Sequence, residues 1–146
     1  MNNIQIKELI DTELNKISEQ QALKENLKRL ISNEILKYLE AEDFNRLTPN
    51  QKQYTITSMT RLSLQYSLKL IKTDLEEDNI NFIMAIIIES IFKVTIICID
   101  AGFEKTERIK LLKDETLVSL QFALAVLKDE SKIEEDQYTK ILQMFN

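Results

Sequence analysis

The sequence predicts an all-α protein: a single-domain bundle of five to six helices spanning 1–146 around a central apolar helix at about 80–101. Three observations lead there. The chain has one Gly and one Pro in 146 residues, and the 52 residues between Pro49 and Gly102 contain neither. A β domain reverses direction often and relies on such residues to do so. Apolar residues recur at steps of three and four, the period of a helix that buries one face. Leu, Ile, Val and Phe fill 49 of the 146 positions, too many for a disordered chain and enough for one self-supporting core.

Taken in order, Ile6, Ile10, Leu14 and Ile17 form the first helical stripe. Ser18-Glu19-Gln20-Gln21 reads as a capping box, so a break is expected near 18. A second stripe follows as Leu23, Leu27, Leu30, Ile31, Ile35 and Tyr38. Phe44 and Leu47 are expected to plug the end of the bundle at the 40–49 turn. Thr48-Pro49-Asn50-Gln51 is the clearest start signal: Thr caps, Pro occupies a first-turn position needing no N–H, and Gln closes the box. The helix it opens is expected to reach about Glu77. Within it, Leu62 to Leu70 alternates apolar and polar as a strand does. No turn residue flanks that run, however, and Leu62, Tyr66 and Leu70 also make an i, i+4 row, so helix is the reading.

Asp78-Asn79 then opens the most apolar segment, Ile80 to Ile99, which Gly102 terminates. The next helix, at 104–128, turns Ile109, Leu112, Leu117, Leu120, Leu124 and Leu127 inward. Ser131-Lys132-Ile133-Glu134 reads as a capping box for a last helix built on Ile133, Tyr138, Ile141, Leu142 and Phe145. Connections at 78–79 and 102–103 are short, which predicts antiparallel packing of the three long helices.

Composition excludes most familiar chemistry. With 19 Lys+Arg, 24 Asp+Glu and no His, the net charge is −5. Without imidazole there is no Ser-His or Cys-His nucleophile pair and no zinc site built on His. One Gly removes the glycine-rich phosphate loops. Asp74-Leu75-Glu76-Glu77-Asp78 lacks the Gly and terminal Glu of a calcium loop. No metal and no cofactor are therefore expected. Nucleic acid is not expected either, because the footprint of such binding is a basic domain and this chain has pI ≈ 4.9. Glu89 and Lys93 interrupt the 80–99 segment, and its uninterrupted apolar run, Phe82 to Ile88, is too short to span a bilayer. A core helix is expected, not a membrane one. The lone Cys98, among Ile96, Ile97 and Ile99, reads as a small buried hydrophobe. A single Cys and an N-terminus, Met1 to Lys7, without a signal-peptide pattern point to the cytoplasm.

Two constellations carry functional expectations. Asn81, Ala85, Glu89 and Lys93 lie four apart on the apolar helix. They form either a solvent-facing seam with a Glu–Lys pair or, in the sharper reading, a buried carboxylate lining a pocket with Arg61 or Lys93 as counter-ion. Arg61, Gln65, Lys69 and Lys72 share a face of the preceding helix, within a stretch, 44–73, that holds no acid. That face is a solvated exterior or a docking strip for an acidic partner or anion. Thr60, Ser63 and Ser67 beside it make a small-residue ridge that permits close helix approach.

The function these readings support is non-catalytic. The expectation is a small acidic cytoplasmic regulator, adaptor, inhibitor or immunity-type protein, binding another protein or itself as a homo-oligomer through an exposed apolar face of 4–17 or 133–145. The alternative is a bundle that binds an apolar small molecule in a cavity beside the 80–101 helix, with Glu89 at its mouth. An enzyme using Glu89, Lys93, Asp100 and Ser or Tyr hydroxyls is disfavoured, since it requires a carboxylate and a lysine brought together by tertiary contact, which spacing does not reveal.

Overall fold

The computed structural model describes the backbone of residues 3–21 and 25–145 and the side chains of 4–15 and 25–145. Among the described residues there are seven helices and no strand. They are α1 (Asn3–Gln21), α2 (Glu25–Tyr38), α3 (Glu42–Asn45), α4 (Pro49–Leu70), α5 (Glu77–Ala101), α6 (Lys105–Asp129) and α7 (Glu135–Phe145). The all-α bundle is as expected, with seven helices in place of five to six because the 40–49 turn contains the short α3, and the alternating 62–70 run is helical.

Helix ends follow local chemistry. At the head of α4, Thr48 Oγ1 accepts from Gln51 N at 3.2 Å and Gln51 Oε1 accepts from Thr48 N at 3.0 Å. Two of the free N–H groups are thereby satisfied reciprocally. At the end of α5, Gly102 takes φ 66°, with Phe103 N donating to Cys98 O at 3.1 Å and Gly102 N to Ile99 O at 3.2 Å. This paired reversal suits the one residue without a Cβ. The same pattern closes α6, but on a serine: Ser131 has φ 60°, Lys132 N donates to Leu127 O at 2.9 Å and Ser131 N to Lys128 O at 3.0 Å.

Four boundaries depart from expectation. The break near 18 is absent, because α1 continues to Gln21; the side chains of Ile17, of the Ser18 box and of Leu23 lie outside the described ones. Helix α4 stops at Leu70, not near Glu77. Thr73 closes the turn, its Oγ1 donating to Leu70 O at 2.6 Å and accepting from Leu75 N at 3.3 Å, while Leu75 drops into the core. The connection is thus 71–76, and Glu77 and Asp78 sit in the first turn of α5, where the helix dipole favours negative charge. Ser131 ends α6 and does not begin α7; the last helix is primed by Gln137 Oε1, which accepts from Glu134 N at 2.9 Å.

Packing places α4 and α5 at the heart of the bundle. Helix α4 is flanked by α1, α2 and α5, and α5 by α2, α4 and α6. Twelve of the 25 residues of α5 are buried, so a helix long and apolar enough by composition to cross a membrane here spends most of its apolar surface on its neighbours. Away from its two ends, the exposed residues of α5 are Phe82, Glu89, Lys93 and Ile97. On α4 the small-residue ridge is internal: Thr60, Ser63 and Ser67 are fully buried, and each hydroxyl donates to the carbonyl four residues back, on Ile56, Met59 and Ser63. Burying a hydroxyl costs little when its proton stays bonded, and the short side chains let neighbouring backbones approach. Phe44 and Leu47 plug one end as expected, both nearly inaccessible. There Arg46 grips Asp100 with two hydrogen bonds, 2.8 and 2.6 Å, and this bidentate partner holds the Asp100 carboxyl below its usual range.

Candidate functional site

Helix α7 packs against α6, and its last residue but one in the chain, Phe145, reaches across to α4. Its ring stacks on Tyr66 with centroids 5.1 Å apart, and Lys69 Nζ lies 5.0 Å above it. Beyond Phe145 the valley between α4 and α6 continues uncovered. It forms a groove of about 780 Å³.

The α6 wall shows why the groove is open. Ile109, Leu112, Thr116 and Leu120 form one inward stripe, as their spacing predicts. Leu120 is fully buried beneath the bundle, whereas Ile109 remains 56% exposed. The inward orientation of Ile109 is correct and its burial is not, because no described element covers that half of the valley. Leu62 and Leu68 of α4 face it, with Tyr54 and Ser58 further along. The floor carries one polar link, Tyr66 Oη to Thr116 Oγ1 at 2.5 Å; burial pushes the Tyr66 phenol up and this bond draws it partly back.

Charge distinguishes the groove from the rest of the surface. Arg61, Lys69, Lys105, Arg108 and Lys113 line it, and no Asp or Glu does, in a chain whose net charge is −5. Arg61 pairs with Glu13 of α1, Nε to Oε2 at 3.0 Å. The other four have no carboxylate partner among the described residues. Lys110, one turn away on the outer face of α6, does have one in Asp114. Arg108 is the most constrained: its guanidinium lies 5.0 Å from the Tyr54 ring, and its Nε is buried without a hydrogen-bond partner. Such an unsatisfied donor costs roughly 1–3 kcal/mol. A smaller recess on the far side of Arg108 is lined by Asn50, Gln51, Ile99 and Phe103.

The structure therefore brings Arg61, Gln65 and Lys69 together on one wall, while Lys72 lies past its end. Glu89 and Lys93 take no part. They are exposed and pair with each other at 2.6 Å, so the buried-carboxylate reading is corrected to the solvent-facing seam, and the counter-ion of Arg61 is Glu13. No residue of α5 lines the larger groove; Cys98 and Ile99 of α5 line the smaller recess, and Glu89 lines neither. Nor do the described side chains of 4–15 and 133–145 offer a continuous exposed apolar face: Ile6, Ile10, Leu14, Ile133 and Ile141 are buried, leaving Ile4 and Met144 outside. Sequence reasoning missed Lys105, Arg108 and Lys113. Their signal was present as three cations flanking Ile109 and Leu112, but only tertiary packing sets them opposite Arg61 and Lys69.

Chemically, the groove offers apolar contact along its floor and cationic hydrogen-bond donors along both rims. Among the described residues no group of three His, Cys, Asp or Glu side chains is placed to hold a metal ion. The chain matches no protein-family model, no curated protein and no solved structure.

Proposed function

We propose that the protein is a non-catalytic interaction module, which takes a segment of another protein into the α4–α6 groove. The observation that carries this reading is the pairing of an apolar floor at Leu62, Ile109 and Leu112 with four cations that lack carboxylate partners among the described residues. Exposed apolar surface framed by charge is the usual anatomy of a protein-binding patch. A lone buried thiol and an acidic exterior suit a soluble cytoplasmic regulator or adaptor. A second reading, an anionic small amphiphile in the same groove, is favoured only by its volume, about 780 Å³, which falls within the range of ligand sites.

The test is affinity capture with two baits, the native chain and Ile109→Glu. Because Ile109 is 56% exposed, the variant is expected to fold, which its circular dichroism checks. The reading expects a protein retained by the native bait and lost from the variant. Identical capture by both baits, or none by either, contradicts it.

A further inference from the structure

We infer that the segment received by the groove is an acidic amphipathic α-helix of about three turns from a partner protein, its apolar stripe on Leu62, Ile109 and Leu112 and its carboxylates on the flanking cations. This rests on the reading of the groove as a protein-binding site and specifies what binds there.

Shape argues for a helix. The α6 wall runs from Lys105 to Thr116, about 16 Å at 1.5 Å per residue, the length of three helical turns. Its far end is already sealed by α7, whose Phe145 lies in the same valley. The open part leaves an inward stripe residue, Ile109, 56% exposed. An extended peptide that adds to a sheet needs an unpaired strand edge, and there is no strand among the described residues. Both walls are helices, whose backbone groups already bond within each helix, so the helix-in-groove mode applies, read through anchors at i, i+3/i+4 and i+7.

Charge argues for acid on that helix. Lys105, Arg108 and Lys113 on one rim face Arg61 and Lys69 on the other; no carboxylate lines the groove, and of the five Arg61 alone has a carboxylate partner among the described residues, Glu13 of α1. An occupant with Glu or Asp on both shoulders of its apolar stripe meets cations on both sides. A basic occupant meets five like charges, and such juxtaposition is what interfaces use to reject wrong partners. Arg108 adds specificity, since a planar guanidinium already stacked on Tyr54 is pre-oriented for a carboxylate. A flat anionic membrane reaches the exposed cations but not Leu62, which is half-buried, or Leu112, which is buried.

The experiment uses the full chain and three synthetic 14-residue peptides, followed by fluorescence anisotropy. The first has Leu at i, i+4, i+7 and i+11 with Glu on both flanks. The second replaces every Glu by Lys, and the third scrambles the first to destroy its stripe. The expected result is that the acidic amphipathic peptide binds at least tenfold tighter than either control. Its affinity should fall several-fold between about 50 and 500 mM salt, and at least tenfold in Ile109→Glu and in Lys105→Glu/Lys113→Glu. Val118→Glu, on the exposed side of α6, should leave it unchanged. Equal binding of the acidic and basic peptides, or of the scrambled one, overturns the inference. So does binding of phosphatidylglycerol vesicles that Ile109→Glu abolishes, or a light-scattering dimer that the same variant dissociates, since a lipid surface or a second copy then occupies the groove. Capture lost from the Ile109→Glu bait together with no preference for the acidic peptide defeats this inference alone; capture indifferent to that substitution defeats the reading beneath it.

Discussion

Ile109 and Leu120 occupy the same inward stripe of α6, and truncating each to Ala separates an open groove from a closed one. Leu120 is fully buried, so its loss removes the transfer energy of the missing carbons and leaves a cavity. That combination costs about 3–5 kcal/mol. Ile109 is 56% exposed, so less than half of its side chain contributes to burial. Full burial of an Ile is worth roughly 1.5–3 kcal/mol, which leaves about 1 kcal/mol for Ile109. No cavity forms, because solvent already reaches the site. Ala is also the better helix former, by a few tenths of a kcal/mol. The expected costs are therefore about 3–5 kcal/mol for Leu120→Ala and at most about 1 kcal/mol for Ile109→Ala. Urea unfolding followed by far-ultraviolet circular dichroism resolves these. With a slope of about 2 kcal/mol per molar urea, Leu120→Ala moves the midpoint by about 1.5 M or more and Ile109→Ala by no more than about 0.5 M. Equal shifts would refute the reasoning, for they require Ile109 to be covered in the folded protein.

Three further outcomes follow from the geometry. Arg61→Ala should cost about 1 kcal/mol, because the nearly buried Glu13 carboxylate loses a charged donor while the Arg side chain itself is largely in water; a double-mutant cycle with Glu13→Gln measures the coupling. Burial, helped by the nearby Glu89 and Glu34 charges, pushes the Tyr38 phenol from 10.0 up to about 12. Its folded value thus lies above its unfolded one, so the protonated phenol favours the fold fully below pH 10.0, and that contribution is lost as pH rises toward about 12; ultraviolet titration should show a late-ionising phenol that Tyr38→Phe removes. Cys98 is buried and its thiol is raised by that burial, so it should resist a thiol reagent in buffer and react fully in urea.

How far the molecule could be read from its residues varies with the range of the interaction. Thr48-Pro49-Asn50-Gln51 and Gly102 mark helix ends within a few positions, so α4 began and α5 ended where their residues say. Ser131 misled because a serine that can cap a helix start here takes the left-handed turn that ends one, and the hydrogen bonds that Lys132 and Ser131 donate to the carbonyls of Leu127 and Lys128 decide between them. The end of α4 had no Gly or Asn to announce it; Thr73 and the burial of Leu75 made the turn through contacts that spacing does not encode. For the groove, the row Arg61, Gln65 and Lys69 identified one wall, since a helix face is a local property. The other wall was not legible. Whether Lys105, Arg108 and Lys113 oppose that row depends on how α6 docks, and whether Ile109 is covered depends on where α7 stops.

The central claim is that the uncovered valley between α4 and α6 receives an acidic helix. Amide chemical-shift mapping of the ¹⁵N-labelled chain, titrated with the Glu-flanked amphipathic peptide, tests it most directly. The account predicts that perturbed amides cluster along Tyr54–Lys69 and Lys105–Thr116, with the Phe82–Ile97 ridge of α5 silent. Shifts centred on that ridge or on Val118 and Phe122, or none at saturating peptide, would contradict it.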